Sequence, residues 1–292
     1  MGKILLFLLL SLVSYSSPFQ KDFLYNKYTL KDTYKYGKIQ REFQWEKIKN
    51  SLDSLEIFEK GHPYLGSLTN YKNYKGIPPM IDGKTVDSDG VPRNQGIPLY
   101  KLDNLENPIK YARDGSLIAI LGKTEGFVII KSFDRDGIWY VPEKYVRRAG
   151  VKEFKKAIVI DTKNQNIASM EKINEEWIIR SMNPATTGMN KPPYYMPTPL
   201  GTYVVQGKTY QMFYLKDGTK EIDGYAPYAT RFTRGAYVHG VPVQFPRVEM
   251  LEYSPTLGTV PRSHMCVRNT TSHAKYLYKW AGIDSSVVIV IN

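Results

Sequence analysis

The chain has 292 residues, 42% hydrophobic and 13% aromatic, enough to bury a sizeable core and long enough for more than one folding unit. Its formal net charge of +12 is spread along the chain without an RNA- or DNA-binding signature. This excludes sequence-specific nucleic-acid reading and points instead to an anionic partner, such as a wall polymer or a lipid headgroup. A single cysteine, Cys266, excludes an internal disulfide.

The amino end, MGKILLFLLLSLVSYSSP, sets Lys3 before an apolar run from Ile4 to Val13 and then small polar residues up to Pro18. This is the layout of a secretory signal peptide over residues 1–17, and it falls short of the roughly 20 residues of a membrane-spanning helix. Export to the periplasm or cell wall is expected, with an uncleaved signal acting as an anchor as the alternative. Residues 18–96 form an N-terminal helical and loop region. Phe43, Ile48, Leu52, Leu55 and Ile57 lie at near-helical spacing and predict a helix over Ile39 to Phe58. The Gly, Pro, Asn and Asp residues from Gly61 to Gly96 predict a loop-rich connection.

Over residues 97–150 the short runs IPLY, LIAIL, FVIIKSF and IWYVP, separated by RDG, GKTEG and DRDG turns, predict a small barrel. The closing GIWYVPEKYV resembles a bacterial SH3-like domain. That resemblance implies a wall-binding module, with a plain spacer as the alternative.

Residues 151–292 are again β-rich: KAIVID, NIASM, EEWIIRSM, GTYVVQGK, AYVHG and SSVVIVIN alternate or run apolar as strands do. One strong helix follows Asn269, with Thr270 to Ser272 as its cap, Ala274, Leu277, Tyr278 and Ala281 on one face, and Gly282 as its stop.

The chemistry concentrates between Tyr237 and Asn269. A lone thiol with a histidine available, just ahead of a helix, is what an activated nucleophile needs. The imidazole takes the proton, Arg268 favours the thiolate, and backbone N–H groups at the turn hold a developing oxyanion. His273 is the sole histidine beyond Cys266, and it falls on the expected helix two turns away. The base must therefore come from upstream, from His239 or His264. His264 reads equally well as a structural histidine, and Arg268 as half of a surface ion pair. The histidines show no zinc spacing, so no metal or cofactor is expected.

His239-Gly240 followed by Ser263-His264-Met265-Cys266-Val267-Arg268 resembles the closing motifs of the L,D-transpeptidase catalytic domain. Upstream, Thr198-Pro-Leu-Gly-Thr-Tyr203 resembles the family's Thr-Pro-x-Gly-x-Tyr strand entry, and Ala157 to Asp161 its opening strand. The likeness spans Lys155 to Asn292. It implies a mainly β, L,D-transpeptidase-type catalytic domain with few helices. In the roles it implies, Cys266 is the nucleophile, His239 the general base and the Gly240 carbonyl its orienting partner. Ser263 and His264 shape the loop, backbone N–H groups near Met265 and Cys266 form the oxyanion hole, and Arg268 steadies the thiolate or binds a substrate carboxylate. The implied substrates are peptidoglycan stem peptides, joined, trimmed or exchanged through a thioester. A thiol hydrolase of wall peptides and a non-catalytic wall-binding protein are the alternatives. Two departures stand out. Met265 occupies the motif's glycine position, and VQFPRVEMLEYSPTLG lengthens the interval between His239 and Ser263, which suggests a lid or an altered acceptor side.

Overall fold

The computed structural model describes residues 17–292, so the expected signal peptide lies, but for Ser17, outside the described residues. The chain is mainly β, with two α-helices among the described residues, α1 (Trp45–Lys60) and α2 (Thr271–Trp280). Neither is long and apolar enough to cross a membrane.

The central layer is a six-stranded sheet. Its middle strand, Lys156–Asp161, pairs antiparallel with Asn166–Ile173 on one side and parallel with Val287–Ile291 on the other. Both strands read as continuous apolar runs because both of their faces are covered. Alternate residues go to opposite cores, as a period of two requires. Ala157, Val159, Val287 and Ile289 face one core, while Ile158, Ile160, Val288 and Val290 face the other.

The first of these cores is closed by α1, through Ile48, Leu52, Leu55 and Phe58. The helix starts at Trp45, later than the apolar spacing suggested. Residues Ile39–Glu42 instead pair with Thr33–Tyr36 in a hairpin turned at Gly37, whose φ of 59° suits a residue without a side chain. Gln20–Lys21 adds a further strand, parallel to Glu176–Pro184. The N-terminal region is thus one wall of the C-terminal domain's own core. Leu52 is fully buried. Leu52→Ala is expected to cost about 2–5 kcal/mol, and chemical denaturation would show that loss in one cooperative transition shared with the C-terminal sheet.

A second, five-stranded antiparallel sheet occupies the middle of the chain, in the order Val146–Arg148, Leu65–Leu68, Leu117–Thr124, Phe127–Ser132, Ile138–Pro142. Leu65–Leu68 comes from the stretch read as loop-rich, so the β unit begins some thirty residues before the boundary drawn at residue 97. Its own core holds Leu68, Ile97, Ile118, Ile130, Trp139 and Val141.

The third sheet carries the site. A long hairpin, Gly207–Leu215 with Ile222–Thr233, continues into Ala236–His239, which pairs parallel with the short strand Val267–Arg268. Val238 and Val267 join Leu277 of α2 and Ala281, the extended residue that ends it, in the second core, and so seat these strands on the central sheet.

Candidate active site

The parallel register matches Val238 with Val267 and His239 with Arg268. Continuing it by one residue sets Cys266 opposite Tyr237. Registered partners share a face, as do residues two apart on one strand, so His239, Tyr237, Cys266 and Arg268 all face one side. Folding therefore brings the predicted nucleophile and base to one face, one pleat apart, although 26 residues separate them in sequence.

His239 is 2% exposed, and its Nδ1 lies 2.7 Å from Gly240 O. A carbonyl can only accept, so Nδ1 carries the hydrogen and Nε2 keeps its lone pair as a base. Burial pushes the imidazole down to about 4; the Gly240 hydrogen bond opposes this and the Arg268 charge reinforces it. A Cβ on Gly240 would press against Thr271 and Pro227, so the orienting carbonyl belongs to a position with no space for a side chain.

Cys266 is buried, packed beside Ala229 and Tyr237. Burial pushes its thiol up to about 11, while the Tyr237 N–H and the Arg268 charge pull the other way. Near neutral pH both groups are therefore uncharged, a thiol and an imidazole rather than an ion pair. The thiol donates to Gly235 O at 3.4 Å, and among the described residues no hydrogen bond joins it to His239. A proton transfer from this thiol to His239 would require the S–H to leave Gly235.

The residues before Cys266 form a tight turn. The Ser263 hydroxyl donates to Cys266 O, and Met189 N–H donates to Ser263 O at 2.9 Å. Met265 stands at φ 152°, where L side chains are strained. The Thr198 hydroxyl donates to Met265 O and accepts the Gly188 N–H, both at 2.8 Å, and a Cβ on Gly188 would lie 2.9 Å from Met265 Cα. The methionine thus adopts the backbone that the family's glycine would take freely. Met265→Gly is expected to be more stable than Met265→Ala by about 1 kcal/mol in urea unfolding, reversing the usual order of the two residues.

His264 points elsewhere. Its side chain is 45% exposed, with Nε2 2.8 Å from Asp217 Oδ1 and the ring stacked on Tyr195 at 4.0 Å. It ties the tip of the long hairpin to the loop before Cys266. Arg268 is held through its backbone, exchanging hydrogen bonds with Thr186 at 2.8 and 2.9 Å, while its buried Nε has no partner. Burial lowers its proton affinity, and Cys266, Tyr214 and Tyr195 act in the opposite direction. His273 is fully buried, set between Ser181 and Asn269.

The lengthened interval after His239 is sewn down. The Thr271 hydroxyl donates to Leu251 O at 2.5 Å, and Ser272 N–H donates to Glu252 Oε2 at 3.0 Å, so the insertion caps α2 beside Thr270. Among the described residues no group of three or more His, Cys, Asp or Glu side chains is placed to hold a metal ion. Tyr237, Gly235 and Asp217 escaped the sequence reading. Tyr237 had a signal, since it stands two residues before His239 on one strand; the other two had none.

Residues 155–289 match the YkuD family, the L,D-transpeptidase catalytic domain. The chain therefore carries an L,D-transpeptidase catalytic domain over that span, and the match does not extend to the preceding five-stranded sheet. The L,D-transpeptidase from Mycobacterium smegmatis is 18% identical over 60% of this chain and 82% of that chain, with a TM-score of 0.38. An L,D-transpeptidase from Mycobacterium tuberculosis H37Rv is 22% identical over 60% and 77%, with a TM-score of 0.37. A fused Zn-dependent amidase/peptidase/peptidoglycan-binding domain-containing protein from Clostridium acetobutylicum ATCC 824 is 18% identical, with a TM-score of 0.35. That alignment covers 49% of this chain and 54% of that one, about half its length. No curated protein matches the chain.

Proposed function

We propose that the protein is a secreted peptidoglycan L,D-transpeptidase that works through a thioester on Cys266, with His239 as general base. The observation that carries this reading is the parallel pairing of Ala236–His239 with Val267–Arg268. It gathers the thiol and the imidazole on one face, while Gly240 O fixes the tautomer that leaves Nε2 basic.

As the Cys266 sulfur attacks the carbonyl between the stem peptide's third residue and its terminal D-Ala, its proton passes to His239 Nε2. Backbone N–H groups at Met265 and Cys266 hold the oxyanion. On collapse the C–N bond breaks, His239 returns the proton to the departing D-Ala amine, and a thioester remains. The side-chain amine of a neighbouring stem then attacks the thioester. It gives up a proton through His239, and Cys266 leaves and is reprotonated. Arg268, with its unpartnered Nε, binds a substrate carboxylate or steadies the sulfur. Ser263 and His264 hold the loop in shape, the latter through Asp217 and Tyr195. The five-stranded sheet is an SH3-like wall-binding module in this reading, supported by its antiparallel order and the GIWYVPEKYV closure, and the net charge of +12 favours anionic wall polymers.

Incubating the protein with peptidoglycan and analysing the digested muropeptides tests the reaction. Cross-linked dimers with 3-3 linkages are expected. Shortened monomers alone would make it a hydrolase of the same peptides, and an unchanged profile with several stem types would leave only a wall-binding role.

A further inference from the structure

The unit built on the five-stranded sheet does more than precede the catalytic domain, because the turn leading into one of its strands, Leu117–Thr124, is built into the catalytic domain's third sheet. Asp114, in the turn between strands Lys110–Arg113 and Leu117–Thr124, is 0% exposed. One carboxylate oxygen accepts the Asn70 N–H at 2.7 Å, within the accessory unit. The other accepts the Arg231 guanidinium at 2.7 Å and the Arg234 N–H at 2.8 Å, both on the catalytic side. Next to it, Gly115 O accepts Val204 N–H at 2.9 Å, and a Cβ on Gly115 would collide with Phe232 O. The two units meet backbone to backbone here, with a buried charge at the junction.

Two branches run from Asp114 to the thiol. Along one, Asp114 pins Arg231, whose guanidinium lies over the Tyr71 ring at 4.2 Å. The Tyr71 hydroxyl is 2.9 Å from the Tyr237 hydroxyl, and the Tyr237 ring packs on Cys266. Along the other, Asp114 holds Arg234 N–H, which fixes the turn whose next residue, Gly235, accepts the thiol proton. Tyr71 and Asp114 both lie outside the residues matched to the catalytic family.

We propose that the accessory unit positions the nucleophile: Asp114 and Tyr71 act through Tyr237 and the Arg234–Gly235 turn to set the orientation of the Cys266 thiol. Both reach the thiol only through other residues and so are positioning residues. The inference rests on Cys266 being the reactive thiol.

Asp114→Asn is the direct variant, but a buried carboxylate that serves three donors is also needed for folding. Tyr71→Phe removes one hydroxyl and keeps the ring beneath Arg231. The measurement uses the full chain and two reagents on Cys266: a carbapenem, whose acylation demands an oriented thiol, and iodoacetamide, whose alkylation demands only a thiolate. For Tyr71→Phe the acylation rate is expected to fall about tenfold, since small misplacements of a reacting group carry losses of that order and more. Alkylation is expected to move the other way, its pH profile displaced toward lower pH as water reaches the loosened Tyr237 and relieves the thiol's burial, with the melting temperature unchanged. Acylation within twofold of the unaltered protein overturns the proposal, as does slowed acylation with an unmoved alkylation profile. If the unaltered protein is acylated at no cysteine, the reading of the site fails first, and that outcome is distinguishable because it requires no variant.

Discussion

Replacing Cys266 with alanine is expected to lower the rate of cross-link formation by more than about 10⁴-fold, because no other group on the site's face can form the acyl intermediate. The face offers His239, Tyr237, Arg268 and Cys266, and only the last is a nucleophile matched to a carbonyl. Burial of the thiol makes the loss sharper. With its proton affinity pushed up to about 11, the proposed reaction needs a base to remove the sulfur's proton during attack, since little thiolate stands ready near neutral pH. The loss should be confined to chemistry. Cys266 is a small residue in a cluster with Ala229 and Tyr237, so alanine leaves a modest void and a folded protein that still binds sacculi. Sedimentation with sacculi and muropeptide analysis on the same preparation separate the two effects.

His239→Gln carries the second largest effect, a fall of about 10²- to 10⁴-fold in the acylation rate, the usual worth of a positioned general base. The pH dependence gives the sharper signature. In the unaltered protein the imidazole is neutral above about 4, so acylation falls only as pH drops through that value and stays level across neutral pH. Without the base, the rate follows the thiolate fraction and should climb about tenfold per pH unit from 7 toward the thiol's own value near 11. A stopped-flow profile of carbapenem acylation between pH 5 and 10 distinguishes a level line from that slope. A variant profile as level as the original would mean that His239 is not the base.

How much of this was visible in the sequence depended on where the physics was local. The turn from Ser263 to Arg268 could be read because thiol, turn and charge are contiguous, and the His239-Gly240 contact because an imidazole and its carbonyl partner are adjacent. The strands Lys156–Asp161 and Val287–Ile291 could be read because burial on both faces leaves an unbroken apolar run. Helix α2 announced itself through a capping Thr270 and an apolar face.

The rest depends on tertiary contacts that leave little local trace. The strand Gly207–Leu215 is partly or fully exposed along its whole length, so the alternation that marks a half-buried strand is missing. Leu65–Leu68 sits among glycines and prolines that signal a loop, yet it is buried at every position between two partner strands. Ile39–Glu42 was drawn into the expected helix by its neighbours' spacing, although Gly37 turns it back as a hairpin. Nothing in the sequence ties Asp114 to Arg231 and Arg234, because hydrogen bonds across more than a hundred residues carry no spacing rule. Met265 was readable as a departure. What it does, hold a strained backbone that Thr198 fastens, was not.

The most direct measurement is the intact mass of the protein quenched during turnover of a soluble tetrapeptide stem. An adduct equal to the stem less its terminal D-Ala, lying on the peptide that contains Cys266 and absent from Cys266→Ala, is the predicted result. Cross-linked product formed at an undiminished rate by Cys266→Ala would contradict the account at its centre.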